Sequence, residues 1–192
     1  LFLFGFGESL LITSGGGVGP YTVLGQGISN LTDWSIGLST FVISIFVLVL
    51  WIPLKQKPGM GTILNAFIIA LTIEFSVYYL PYPESYPLQV LQVVIGVLTI
   101  GLGSGFYLIS NLGAGPRDGL MIGLQRISNM PIYSIRTTIE ISVVIIGSLC
   151  LLNNIDKLLG EVVGLGTAIF ALGIGPSVAL GITLVGKLSK QA

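Results

Sequence analysis

The residues best able to do chemistry in this chain are charged side chains that interrupt long apolar runs. Four positions have this character: Glu8, Glu74, Arg136 and Glu140. A charge at the centre of a bilayer costs about 2.5–3.5 kcal/mol on insertion scales, so each should face protein or water and have a partner. The two isolated carboxyl groups, Glu8 and Glu74, are candidates for coupling to protons or cations.

Arg136 and Glu140 are four residues apart, so they share one face of a predicted helix. Two interpretations stay open. The pair can be a self-satisfied intrahelical ion pair that lets the helix insert, or it can face a cavity and bind a polar solute. The first half of the chain has uncharged residues, Gly37 and Phe41, at the matching positions. This asymmetry favours a specialised role for the pair.

A second charged pair, Arg117 and Asp118, directly follows Gly115-Pro116 and falls in the first turn of a predicted helix. Asp at that end suits the helix dipole, which is a purely structural explanation. Arg is unfavourable there and needs another reason for its position. Arg117 can lie at the cytoplasmic surface, form an ion pair with Asp118 or Glu140, or bind an anion beside the free backbone N–H groups.

Several classes of chemistry are excluded by residues that the chain lacks. It contains no His, and Cys150 is its single cysteine. Disulfides, His-ligated metals and Cys–His nucleophiles are therefore not expected. There is no Ser–His pair and no phosphate-binding loop with its lysine, so we predict no enzyme and no cofactor. Eight basic and eight acidic residues balance to zero net charge, which gives no basic surface for nucleic acid.

A repeated motif divides the chain into two related halves. The segment Gly15-Gly16-Gly17-Val18-Gly19-Pro20 is echoed 96 positions later by Asn111-Leu112-Gly113-Ala114-Gly115-Pro116. Farther on, Gly59-Met60-Gly61-Thr62 is matched by Gly164-Leu165-Gly166-Thr167, at an offset of 105. Small loop insertions explain this drift. We predict one membrane domain over 1–192, with a first repeat over 1–80 and a second over 88–185.

Composition identifies the class of fold. Hydrophobic residues make up 53% of the chain and charged residues 8%, with a mean hydropathy of +0.96. Soluble domains carry about 25% charged residues. We therefore predict an all-α integral membrane protein whose six spanning helices cover 1–14, 34–54, 61–80, 88–110, 132–152 and 162–185. The segments 20–29 and 116–128 are too short to cross a bilayer core of about 30 Å and are predicted as broken or half-helices.

The parity of the spans predicts an inverted repeat. Three spans in each half make the second half enter the membrane from the side opposite to the first. Charges agree with this topology. One side collects the termini with Lys55, Lys57, Arg117, Arg126, Lys187 and Lys190; the other collects Asp33, Glu84, Asp156, Glu161 and one base, Lys157. Because basic residues concentrate on the cytoplasmic side, both termini are predicted to be cytoplasmic.

Three motifs together resemble a known family of bacterial membrane proteins, the YczE/YyaS/YitT-like proteins. They are Leu112-Gly113-Ala114-Gly115-Pro116-Arg117-Asp118-Gly119-Leu120-Met121-Ile122-Gly123-Leu124, then Ile135-Arg136 with Glu140, and Gly164-Leu165-Gly166-Thr167. The likeness extends over nearly the whole chain. The first half departs from it, because Pro20-Tyr21-Thr22 stands where the family usually has a Pro-Trp-Asp type of sequence. The resemblance implies a multi-pass protein of the bacterial inner (plasma) membrane and names no substrate.

The combined prediction is a small secondary transporter or facilitator for a small polar or anionic solute in the lipid bilayer. Two opposed half-helix N-termini favour an anionic group. The predicted substrate-binding residues are Gly19, Pro20, Gly115, Pro116, Arg117, Asp118, Arg136 and Glu140, with Glu8 and Glu74 as coupling residues. The alternative is a non-transporting membrane partner that regulates or scaffolds another bacterial protein. Whether the chain forms a homo-oligomer stays open.

Overall fold

The computed structural model describes residues 1–154, 158 and 162–189, and all regular structure within them is helical. Eight α-helices lie in this part of the chain: α1 Phe2–Ser14, α2 Pro20–Thr32, α3 Ile36–Leu50, α4 Met60–Tyr79, α5 Tyr86–Ser110, α6 Pro116–Ser128, α7 Ile132–Cys150 and α8 Leu165–Ser189. The predicted all-α class is confirmed. Four residues used in the charge comparison lie outside the described residues: Asp156, Lys157, Glu161 and Lys190.

Helix length and composition identify four clear membrane spans. Helices α4, α5, α7 and α8 are long and apolar enough to cross a bilayer, and α2 with α3 adds a fifth if this pair, bent by 113°, forms one broken span. Helix α1 is apolar but has only 13 residues. The membrane character of the chain therefore follows from its helices, while the count of six spans stays a prediction.

The predicted second span, 34–54, is longer than the helix observed there. Helix α3 begins after Ser35, whose Oγ accepts a hydrogen bond of 3.2 Å from the Leu38 N–H, and it ends at Leu50. The chain then turns, and the indole N–H of Trp51 donates to the carbonyl oxygen of Pro116 at 2.9 Å. A contact with α6 thus fixes the chain after this helix. The predicted segment 116–128 coincides with α6, and 20–29 is extended to Thr32 in α2.

Glycines bring the central helices into backbone contact. A Cβ on Gly7 of α1 would lie 2.8 Å from the carbonyl oxygen of Gly96 in α5. Helix α5 meets α8 in the same way, where Gly101 and Gly105 face Gly181. Helix α1 also packs against α4, so this short helix is enclosed between two longer ones. The main hydrophobic core lies among α1, α4, α5 and α8.

Helices α2 and α6, which the sequence predicts as half-helices, each pack on a helix of the opposite half. Helix α2 lies against α7, where a Cβ on Gly27 would be 2.9 Å from the Cα of Gly147. Helix α6 lies against α3 and its C-terminal turn, where Gly119 faces the ring of Trp51. Since α2 and α6 occupy equivalent positions in the repeated sequence, as do α3 and α7, these two contacts are counterparts.

The repeated motif adopts the same backbone conformation in both halves. Helix α1 is followed by Gly15, which has a φ of 65°, and α5 is followed by Asn111, which has a φ of 50°. Two residues later Gly17 and Gly113 have φ of 113° and 122°. The second pair lies in a region that side-chain-bearing residues rarely adopt, so glycine is required there. Asn tolerates the left-handed conformation, which explains how it replaces Gly at the first position.

Each break between helices is bonded to the start of a helix from the other half. The Gly61 N–H, in the first turn of α4, donates to the carbonyl oxygen of Leu112 at 2.8 Å. The Gly166 N–H, in the first turn of α8, donates to the carbonyl oxygen of Gly16 at 2.6 Å. Backbone that leaves a helix in an apolar environment needs such partners. The two bonds join equivalent positions of the repeated sequence, since Gly61 corresponds to Gly166 and Gly16 to Leu112.

The α5–α8 contact gives a first prediction. We expect Gly181→Ala to lower the free energy of unfolding by about 1–3 kcal/mol, because the added Cβ would collide with the backbone of Gly101. Thermal unfolding of the purified protein in detergent measures this as a lower Tm. The matched control is Gly186→Ala on the same helix, where the nearest atom to an added Cβ is Ile109 Cδ1 at 3.9 Å. Equal Tm values for the two variants would show that the close approach does not limit stability.

Candidate functional site

One cavity of about 280 Å³ is lined by residues from all eight helices. Its charged lining residues are Glu8, Arg117, Asp118 and Arg136, and its uncharged polar ones are Tyr21, Thr22, Thr40, Ser44, Asn65, Ser104 and Tyr107. The remaining walls are mostly aliphatic and aromatic. A mostly apolar cavity with a few convergent polar groups is typical of a site for a small molecule.

Two arginines and one carboxylate form an ion triad at the cavity wall. Arg136 Nε lies 3.0 Å from Glu140 Oε1 on the same helix, and Arg117 Nη2 from α6 bonds the same carboxylate oxygen. Glu140 itself lies outside the cavity lining, while both arginines are part of it. The predicted intrahelical pair therefore exists, and it also faces a cavity. Of the partners that the sequence left open for Arg117, the structure shows Glu140.

The first turns of the two half-helices meet through Arg117 and Tyr21. The guanidinium carbon of Arg117 lies 4.8 Å from the centre of the Tyr21 ring. Such a cation over an aromatic face is attracted by the ring quadrupole. Tyr21 and Arg117 are equivalent in the repeat, so the contact joins matching positions of the two halves. The Tyr21 hydroxyl is buried and has no hydrogen-bond partner among the described residues.

The carboxyl groups of the cavity occur in two mirrored combinations. Glu8 is 8% exposed and accepts a 2.6 Å hydrogen bond from the Thr22 hydroxyl. The repeat equates Glu8 with Ser104, and Thr22 with Asp118, and all four residues line the cavity. Of these four residues, each half therefore supplies one carboxyl and one hydroxyl. The carboxyl lies before the helix break in the first half and after it in the second. Asp118 is part of neither ion pair that the described residues form.

The structure brings together most, but not all, of the predicted site residues. Those that line the cavity are Glu8, Gly115, Pro116, Arg117, Asp118 and Arg136, and Glu140 binds the two arginines behind them. The start of α2 contributes differently. Gly19 is covered by the ring of Phe170, and Pro20 lines a separate shallow pocket beside Glu140. Glu74 is exposed on α4 and lies against Gly37 of α3, away from the cavity.

Sequence reasoning missed the uncharged polar residues of the site. Sequence analysis singled out Tyr21 and Thr22 only as a departure from the family pattern, and it predicted no site role for Ser104, Asn65 or Tyr107. The Tyr107 hydroxyl donates to the carbonyl oxygen of Gly113 at 2.8 Å and so supports the break before α6. The repeat alignment was the available signal for the first three. In the part of the chain that the structure describes, no three side chains of His, Cys, Asp or Glu lie close enough to hold a metal ion.

The triad predicts unequal contributions from its two ion pairs. In double-mutant cycles with glutamine substitutions, we expect a coupling free energy of about 1–3 kcal/mol between Arg117 and Glu140, which join two helices. We expect about 0.3–0.5 kcal/mol between Arg136 and Glu140, since Arg136 is 46% exposed and the pair is intrahelical. Chemical unfolding in detergent measures both couplings. Arg126→Gln, outside the triad, is the control, and equal couplings would contradict the assigned geometry.

Comparison with known proteins places the chain in a family. A family model described as "Family of unknown function (DUF6198)" matches residues 1–182. An "Uncharacterized protein" of Haemophilus influenzae is 40% identical over 98% of this chain and 82% of the relative. From Bacillus subtilis, the "Uncharacterized membrane protein YczE" is 27% identical over 74% of this chain and 67% of its own, and the "Uncharacterized protein YyaS" is 27% identical over 72% and 71%. No solved structure matches the chain.

These similarities confirm the resemblance to YczE and YyaS, while its YitT part stays a prediction. The apolar helices and the membrane protein among the relatives agree on a membrane location. The family match covers nearly the whole chain, including both helix breaks and every described residue of the cavity. The chain belongs to the DUF6198 family.

Proposed function

We propose that this protein is a small secondary transporter or facilitator of a small polar or anionic solute, with the eight-helix cavity as its site. The observation that carries the proposal is the convergence of Glu8, Arg117, Asp118 and Arg136 on one cavity. Charged side chains inside a membrane domain are costly and usually mark a solute or proton pathway. A non-transporting scaffold has no need to collect them around one cavity.

The proposed topology is an inverted three-plus-three repeat of six spans, with α2 and α6 as half-helices and both termini in the bacterial cytoplasm. The six spans would be α1, α3, α4, α5, α7 and α8. The matching backbone at Gly17 and Gly113, and the reciprocal hydrogen bonds of Gly61 and Gly166, support the repeat. Broken helices near the centre of inverted repeats are where many transporters bind solute.

In this proposal the α6 side of the cavity recognises the solute. Gly115 and Pro116 begin α6 at the cavity, so its first-turn N–H groups can meet an anionic group there. Arg117 and Arg136 supply positive charge, and Glu140 holds both in place. Glu8, buried beside Thr22, carries the coupling proton or cation. Glu74 lies away from the cavity, so we leave it out of the coupling path.

Flux measurements test the proposed site. A mixture of small organic acids and neutral amino acids is added to proteoliposomes that contain a trapped pH-sensitive dye. The change in internal pH is compared with that in protein-free liposomes. We expect wild-type protein to show solute-dependent proton movement, and Arg136→Ala to lower the rate about tenfold or more, as loss of a charged hydrogen bond implies. Glu8→Gln should remove the proton movement.

The control for this test is Arg126→Ala, which removes an exposed arginine near the end of α6 and should keep the wild-type rate. If the variants of Arg136, Arg117 and Glu140 all keep the wild-type rate of proton movement, the proposed site is wrong. Absence of any flux from the wild-type protein would instead favour the alternative, a membrane regulator or scaffold without transport.

Labelling of equivalent positions tests the inversion. Thr32 and Ser128 end α2 and α6, are 96 residues apart, and donate matching hydrogen bonds of 2.7 and 2.8 Å to the carbonyl oxygens four residues earlier. In a Cys150→Ser background, we expect Thr32→Cys to react with a membrane-impermeant maleimide in spheroplasts. Ser128→Cys should react only after lysis. Labelling of both cysteines from the same face would rule out the inverted arrangement.

A further inference from the structure

Two sets of charge of opposite sign line the cavity, and they are not paired with each other. The triad of Arg117, Arg136 and Glu140 contains two guanidinium charges and one carboxylate, so it keeps one positive charge. Asp118 provides a carboxylate that is in neither ion pair of the described residues. Glu8 is the third acid, and the proposed function assigns it to coupling. A solute in this space therefore meets one surplus positive and one surplus negative charge.

The arginines of the triad keep most of their hydrogen-bonding capacity. A guanidinium carries five N–H donors in a planar fork. Within the described residues each arginine uses one nitrogen for Glu140, and both bonds end on the same oxygen, Oε1. The remaining donors of two adjacent guanidinium groups suit the two oxygens of a carboxylate, which arginine binds in a bidentate manner.

We propose that the solute is a small zwitterion of the neutral amino acid class, which rests on the transport function proposed above. Its carboxylate is bound by Arg117 and Arg136, and its ammonium group by Asp118. A solute with only an anionic group would leave the Asp118 carboxylate without a direct ion-pair partner in a half-buried site. A solute with only a cationic group would leave the surplus positive charge of the triad without one. A charge without a direct partner is unfavourable in such a site, so the cavity selects against both.

The size and walls of the cavity fit this class of solute. A volume of about 280 Å³ is near the lower end of the range for small-molecule sites. It therefore suits a small solute. Beyond the charged groups the walls are formed largely by aliphatic and aromatic side chains: Phe4, Ile43, Ile69, Ile73, Ile100, Phe170, Ile174 and Val178. They favour an aliphatic side chain over a polar one.

A matched set of compounds separates the three classes of solute. Alanine, valine and leucine are each compared with two analogues. In the amine the carboxylate is replaced by hydrogen, and in the acid the ammonium group is replaced by hydrogen; for leucine these are 3-methylbutylamine and 4-methylpentanoate. The readout is the Tm of the purified full chain in detergent, since a ligand that binds only the folded state raises it. We expect at least one amino acid to raise the Tm, and neither its amine nor its acid to do so.

Two variants assign the ends of the solute. Arg136→Gln should weaken the amino acid about tenfold or more and leave the amine unaffected. Asp118→Asn should weaken the amino acid similarly and increase binding of the acid, since the repelling carboxylate is gone. Arg126→Gln is the control, outside the cavity, and should behave as wild type. A Tm response to the acid or the amine equal to that of the amino acid overturns the proposal, as does no response to any compound.

The same compounds in the liposome assay separate this inference from the transport function. A Tm increase without flux of the amino acid would reject transport and retain the zwitterion site. Flux of the acid or the amine alone would retain transport and reject the zwitterion.

Discussion

Backbone groups at the two helix breaks need hydrogen-bond partners that the breaks themselves do not contain. In an apolar environment each unbonded N–H or C=O costs several kcal/mol. The carbonyl oxygen of Gly16 is bonded by α8 and that of Leu112 by α4, each from the opposite half. The Thr62 hydroxyl adds a 2.6 Å bond to the carbonyl oxygen of Ala114. Each break therefore takes part of its hydrogen bonding from the opposite half, so the backbone before α2 and α6 depends on the packing of both halves.

The repeated motif made much of this fold predictable. Gly-X-Gly-Pro indicates a turn followed by a helix start, and the bounds of α6 followed from it. The end of α3 was not predictable, because a tertiary hydrogen bond from Trp51 to Pro116 fixes the chain beyond that helix. The number of spans was also not settled by sequence. Helix α1 is short, and it is part of the core because it is enclosed between α4 and α5.

The charged part of the site was predictable because charge in an apolar run is costly and therefore conspicuous. The choice of Glu140 as the partner of Arg117 was not, since Asp118 was an equal candidate in sequence. Symmetry also misled at the start of α2. Asn65 of α4 lies beside Gly115, but its counterpart Phe170 of α8 covers Gly19. One exchange of an amide for an aromatic ring thus opens one half-helix start to the cavity and closes the other.

The two halves share a scaffold and divide the chemistry between them. At the two pairs of matched positions, each half places one carboxyl and one hydroxyl at the cavity, but the carboxyl is on α1 in the first half and on α6 in the second. Glu8 therefore lies on a helix enclosed between neighbours, where its partner is the Thr22 hydroxyl. Asp118 lies on a half-helix beside the arginines. An acid that is hydrogen-bonded and buried is suited to hold a proton, and an acid beside fixed positive charge is suited to bind a solute's cationic group. The exchange of positions therefore gives one repeated architecture two carboxyl groups in different surroundings.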